Sequence, residues 1–322
     1  MSEEAQLCGH AAPWQARCAA IASGRLHHGW ILAGPQGLGK GHFARAAAAA
    51  LVKEGASFAP SWDRHPDILL LEPLPATEGE EAKRAEGKPY QTRRNITIDQ
   101  VRRMQQRLTT RPTLGNRRAI IIDPADDLER SAVNALLKSL EEPPAGSVFL
   151  LVSHRPGRLM ATVRSRCRML RFAPCGDDEI AEILAREVPE ADTPTRIAAI
   201  AAAQGSPGAA IGFVTADLGQ AHGLMLAILR DGDATLALRG KLTEAIGAKP
   251  DRPRLAAILE LASAVIAREV SGAEPRRQLR MIDAHEALAR LTVQAPSYNF
   301  DPGLVSMEIG GLLASVANPR EA

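Results

Sequence analysis

"GPQGLGKG", residues 34–41, decides how the rest of the chain is read. The pattern G-x-x-x-x-G-K-[ST] describes a loop whose backbone N–H groups cradle phosphates, with the lysine on the terminal phosphates and the last hydroxyl on magnesium. Gly34 to Lys40 follow that pattern, but Gly41 stands where the hydroxyl belongs. The loop directly follows the apolar run "GWILAG" (29–34) and opens an alanine-rich stretch (39–53) of helical pattern. Glycines permit the tight turn, and the helix N-terminus behind it faces the anion. Gly34, Gly37, Gly39 and Lys40 are therefore the candidate phosphate-binding residues.

Four more apolar runs bounded by turn signals follow: "DILLLE" (67–72), "RAIIID" (118–123), "SVFLLVS" (147–153) and "CRMLRF" (167–172). They are continuous rather than alternating, as in strands buried on both faces of a parallel sheet. Helical patterns at 97–110 and 128–142 lie between them, which predicts an α/β sheet with crossover helices. The polar stretch between Glu72 and Asn95 predicts an irregular, exposed insertion. Beyond Pro174 the strand signal ends. Short helices are expected at 177–187 and 193–203, then a break at "QGSPGAA" (204–210), then helix throughout from about 216. Pro250, Pro253 and "SGAEP" (271–275) mark boundaries within that region. The expected organisation is an α/β core over 1–174, a helical lid over 175–215 and an all-α domain over 216–322.

Composition narrows the function classes. The 322 residues are 45% apolar and only 3% aromatic, which favours closely packed helices over a β-sandwich. A net charge of +2 does not imply nucleic acid, but Lys83 to Arg118 holds eleven Lys and Arg against two acids. Read by itself, that stretch is equally a solvated basic face. Cys8, Cys18, Cys167 and Cys175 form no C-x-x-C pair, so no zinc ribbon or redox motif is implied. The N-terminus "MSEEAQ" lacks the features of a signal peptide, and no uncharged apolar run approaches the ~20 residues of a membrane span. A cytoplasmic protein with reduced thiols and no membrane contact is expected.

A phosphate loop that hydrolyses nucleotide needs a second element, a hydrophobic strand ending in an acid. "IIID" supplies Asp123. In hydrolysing relatives of the ring-forming kind a glutamate comes next, and here it is Pro124. A positioned base contributes ~10²–10⁴ in rate, so losing it together with the metal hydroxyl predicts a loop that holds phosphate or nucleotide without turning it over.

"NALLKSLEEPP" (134–144), "VRSRC" (163–167), "HHGWILAGPQGLGK" (27–40) and "GSPGAA" (205–210) together resemble the bacterial clamp-loader subunits of the AAA+ class. The resemblance covers residues 1–215 by motif, and the remainder agrees only in being helical. It implies an AAA+ core, a lid and a helical collar through which five subunits form a gapped ring. That ring opens a sliding clamp and places it on primed DNA, with ATP between neighbouring subunits. It further implies that Arg166 of "SRC" acts in trans as an arginine finger on an adjacent motor subunit's nucleotide.

The departures from the pattern match the non-hydrolysing member of such a ring. Gly41 replaces the magnesium hydroxyl, Pro124 replaces the base, and Gly208 replaces the lid arginine that senses the γ-phosphate in motor subunits. Partners implied are the motor subunits, the delta subunit, the sliding clamp and primed DNA. No cofactor is required on this reading. Many relatives bind zinc through four cysteines after the loop; with no cysteine between Cys18 and Cys167, no zinc is expected.

An active AAA+ ATPase, whether a motor subunit or a remodeller, remains the alternative, and a P-loop kinase is a weaker one. Residue by residue, bland roles compete with functional ones. Cys167 reads as a small packed residue, and His28 and Trp30 as packing beside the first strand. Ser153 and His154 occupy a γ-phosphate sensor position but read as structural. Glu141 and Glu142, adjacent on a helix, read as ending it before Pro143. Arg102, Arg103 and Arg107 on the "DQVRRMQQRL" helix are candidate contacts to DNA phosphates.

Overall fold

The computed structural model describes residues 27–53, 60–88, 90–298 and 300–317. Cys8, Cys18 and the "MSEEAQ" segment lie outside them. The chain divides between Ala173 and Pro174 into two compact units.

The first unit is built on five parallel strands: β1 (Gly29–Ala33), β2 (Ile68–Leu71), β3 (Arg118–Ile122), β4 (Ser147–Ser153) and β5 (Arg168–Arg171). Their order in the sheet is β2-β3-β4-β1-β5. All five apolar runs thus become strands of the α/β core expected from the sequence. The central β3 and β4 are buried along their whole length, while β5, at the edge, is largely exposed. Alternate residues serve opposite faces. Ile31, Ile120, Ile122, Phe149 and Leu151 pack with α3 (Ile98–Leu108) and α4 (Arg130–Glu141), whereas Leu32, Ile121, Leu150 and Val152 pack under α1 (Lys40–Lys53). The alanines of α1, with Ala44, Ala47 and Ala48 buried, let that helix lie close to the sheet. In α3, Val101, Met104 and Leu108 recur at three- and four-residue spacing and are buried, leaving Arg102, Arg103 and Arg107 exposed.

The insertion departs from its expected irregularity. It contains helix α2 (Glu78–Ala85), whose N-cap Thr77 accepts from Glu80 N at 3.4 Å. Glu72 pairs with Arg84 at 2.7 Å, Glu80 accepts from Gln91 N at 2.6 Å, and Pro75 bridges to Thr92. These contacts close the segment on itself. Its helix signal, Thr77 followed three residues later by Glu80, lay beneath its polarity.

The second unit is all helical: α5 (Ala161–Arg164) is the last helix of the first unit, and α6 (Asp177–Glu187) to α13 (Pro302–Ser315) follow. One core runs through it, from Cys175 and Ile180 through Met225 and Ile258 to Ile309 and Val316. Helices α7 (Thr193–Ala203), α8 (Pro207–Thr215), α11 (Arg252–Val270) and α13 start alike. Asp192, Ser206, Asp251 and Asp301 each accept from the N–H three residues on, and a proline sits in each first turn. The break expected over 204–210 is therefore shorter than its glycines suggest. It is confined to Gln204 and Gly205, which have positive φ, and Pro207 already begins α8. No single helix among the described residues is long and apolar enough to cross a membrane.

Candidate functional site

The loop Gly34–Gly39 leaves the C-terminal end of β1, the strand flanked by β4 and β5. Such a switch in strand order is where open α/β sheets bind ligands. Two of its glycines are required by backbone conformation, Gly37 at φ +80° and Gly39 at φ +74°. Gly34 is required by proximity, since a Cβ there would lie 2.7 Å from Phe172 O. The first amides of an α-helix precede its i→i−4 bonds and present an N-terminus to an anion; in α1 that ladder begins with Phe43 N, which donates to Gly39 O at 2.9 Å.

Lys40 is buried at 2% exposure and its Nζ donates to Pro35 O at 2.5 Å, folding the side chain back over the loop. Burial pushes its pKa down to about 8, with Asp123 and Asp126 offsetting part of that. Asp123, at the end of β3, pairs with Arg45 Nη2 at 3.4 Å. Arg45 has no place in the sequence-derived site. Its signal was positional: it lies four residues after Gly41 on one helix, so both share a face.

Asp126 was also missed. Its carboxylate accepts from Ser153 Oγ at 3.0 Å, His154 N at 2.6 Å and Arg155 N at 3.2 Å. It thereby ties the end of β4 to the turn after β3, a structural part for Ser153 and for the His154 backbone. Burial lowers the His154 pKa, and the nearby Lys40 charge lowers it further, against the opposing pull of Asp126 and Asp123.

Arg166 lies at the other end of the sheet. It precedes β5, and β5 runs parallel to β1 with Trp30 opposite Arg168. The Arg166 carbonyl would lie 3.4 Å, and Cys167 Sγ 2.8 Å, from a Cβ placed on Gly29 at the start of β1. The phosphate loop begins after the last residue of that strand, roughly 16 Å further along at ~3.3 Å per residue. Arg166 and the chain's own loop therefore sit at opposite strand ends. The Arg166 side chain is a third exposed; its guanidinium pairs with Glu141 Oε1 at 2.5 Å and donates to Thr162 O at 2.8 Å. Glu141, expected only to end its helix, holds the arginine as well. Burial pushes the Cys167 thiol up to about 11, which suits a packed residue and not a reactive one.

Of the three candidate DNA-contacting arginines, Arg102 pairs with Asp99 at 3.6 Å and Arg103 donates to Asp99 O at 3.3 Å. Arg107 donates to Pro66 O at 3.0 Å. Gly208 lies in the first turn of α8, in the second unit. Among the described residues no group of three or more His, Cys, Asp or Glu is placed to hold a metal ion.

Comparison with known proteins places these features in a family context. Residues 10–176 match the family model described as DNA polymerase III, delta subunit. The subunit delta' of DNA polymerase III from Pseudomonas aeruginosa is 34% identical over 208 residues, 61% of this chain and 58% of that protein. The corresponding subunit of Escherichia coli is 37% identical over 134 residues, 42% of this chain and 40% of that protein. The chain thus spans about half the length of the curated relatives it matches. A gamma subunit-related protein of Thermotoga maritima is similar at 19% identity and TM-score 0.46, over 94% of this chain and 98% of that one.

Proposed function

The chain belongs to the DNA polymerase III delta subunit family, and from that premise we propose that it serves a clamp loader as a non-hydrolysing subunit. On this reading it assembles with motor subunits and a delta subunit into a five-membered ring that places a sliding clamp on primed DNA. Its own nucleotide site turns nothing over. Arg166 is supplied in trans to the ATP bound by a neighbouring motor subunit.

The observation that carries this reading is the separation of Arg166 from the loop. A guanidinium at the N-terminal end of β5 is roughly a strand's length, ~16 Å, from the phosphate site at the C-terminal end of β1. That distance is far beyond one arginine side chain, so Arg166 has no access to this chain's own phosphates. A planar fork that stays charged at any working pH suits phosphate oxygens on a partner. Gly41 and Pro124 support the absence of turnover, because hydrolysis rests on metal and positioned water, and neither residue offers a hydroxyl or carboxylate to hold them. Cytoplasmic residence accompanies the proposal. The loop keeps the capacity to hold a phosphate group on Lys40 and the backbone amides.

The test is reconstitution with the partner subunits. The isolated chain should hydrolyse no ATP above background, and Arg166→Ala should assemble at full size while lowering DNA-stimulated turnover and clamp loading. Robust turnover by the pure chain, abolished by Lys40→Ala, returns it to the motor class. Full-rate loading by assembled Arg166→Ala removes the arginine from the mechanism.

A further inference from the structure

Magnesium at a phosphate loop needs a hydroxyl after the lysine and an acid open to the metal. The residues here do not fit that ion. A Cβ on Gly41 would lie 2.5 Å from Asp123 Oδ2 and 2.8 Å from Arg45 Nη1, so the room for a serine or threonine side chain is already taken. Its occupants are the Asp123 carboxylate and, beside it, the Arg45 guanidinium.

Helix geometry explains how it arrives there. Residues four apart share one face, and helical side chains lean toward the N-terminus, so Arg45 reaches back over position 41. Glycine at that position opens the path. Asp123 Oδ2 holds the guanidinium on one side at 3.4 Å, and the Trp62 ring lies 5.3 Å from its central carbon. An acid and an aromatic face together clamp a delocalised, permanently charged group.

We infer that Arg45 is a resident replacement for the divalent cation, so that the loop takes polyphosphate anions of the triphosphate class without metal. The inference rests on reading the loop as an anion site, and it deepens that reading. Asp123 already has a counter-charge, so an incoming anion meets Lys40, the α1 amides and Arg45 with little repulsion from that carboxylate. A metal-laden ligand would instead bring a second cation to a place holding one. Gly41 then has a positive role, as the residue that admits Arg45.

The experiment is calorimetric titration of the full chain with sodium tripolyphosphate and with ATP, in EDTA and in excess magnesium. Both ligands should bind in EDTA at least as tightly as with magnesium. Arg45→Gln, checked for folding by thermal melting, should lose about tenfold or more of the EDTA affinity, the scale of one charge-assisted hydrogen bond. Binding that requires magnesium overturns the role of Arg45 and leaves the loop as an ordinary anion site. Unchanged affinity in folded Arg45→Gln does the same. Binding of ATP without tripolyphosphate overturns the ligand class, and no binding in either buffer overturns the anion-site reading and this inference together. The comparison of buffers uses the wild-type chain, so the outcome does not hang on whether Arg45→Gln folds.

Discussion

Arg166 Nη2 ends 2.5 Å from Glu141 Oε1, joining the turn before β5 to the last residue of α4. The pair is partly exposed, so it contributes little to folding, about 0–1 kcal/mol. Its consequence is positional: the guanidinium is held at the sheet end away from the chain's own loop. Glu141→Ala should leave stability within about 1 kcal/mol and release the cation from its carboxylate, with Thr162 O still accepting from it. In the reconstituted complex, partner ATP turnover should be maintained or raised by Glu141→Ala and lowered by Arg166→Ala. Equal losses from both variants would mean that the pair matters only as structure.

Lys40 provides a pH signature. Burial lowers its pKa to about 8, so the unbound amine gives up its proton near that pH. Phosphate binding needs the ammonium, and above that point binding must take a proton up. Tripolyphosphate affinity should therefore fall as pH rises past this value, approaching ~tenfold per pH unit, and Lys40→Met should abolish the slope. Stability of the unbound chain moves the opposite way. The unfolded lysine keeps its proton to higher pH than the folded one, so stability rises with pH across the same window. Calorimetry and thermal melting across the window read both signs.

Asp67 and Arg118 form an ion pair with both side chains nearly inaccessible, at 0% and 3% exposure and 3.2 Å. Burial alone would raise the Asp67 pKa, but hydrogen bonds from Leu114 N, Thr113 N and Arg118 outweigh it and hold it below the ordinary value. Arg118 also donates to the carbonyls of Arg107, Thr110 and Arg111, which ties the end of the basic helix α3 to β3. Asp67→Ala leaves a buried guanidinium without its carboxylate and should cost about 3–5 kcal/mol in denaturant unfolding. The lowered pKa sets the acid limb. The carboxylate's stabilisation is present above its unfolded pKa and is lost as pH falls through the folded one. A loss under about 1 kcal/mol would show that the network is dispensable.

Gly29 and Cys167 form a tight packing contact, with 2.8 Å between an added Cβ and the sulfur. Gly29→Ala should destabilise by about 1–3 kcal/mol through overpacking. Adding Cys167→Ala removes the sulfur and should recover much of that loss. A thermal double-mutant cycle measures the coupling, and strictly additive effects would refute the contact.

The strands and the phosphate loop were legible because each is a pattern among chain neighbours. "RAIIID" and "SVFLLVS" are continuous apolar runs because β3 and β4 are buried on both faces. Helices α6 and α7 match their predicted limits of 177–187 and 193–203. Less legible were α2 and α8, although their signals were local too. Polar composition masked the Thr77 cap, and the glycines around Ser206 and Pro207 drew attention from a helix start to a break.

By itself, the sequence determined that a phosphate loop joins strand to helix, that five apolar runs alternate with helices, and that an all-helical region follows Pro174. Periodicity and spacing act within a few residues, and a chain read in order contains them. Tertiary structure alone decided which charges meet. Arg45 and Asp123 are far apart in sequence and come together because β3 ends beside the helix that β1 feeds. Arg166 and Glu141 meet because the start of β5 lies at the same sheet end as the close of α4. No local pattern encodes such pairs, because electrostatic contact depends on distance through space and the sheet order sets that distance.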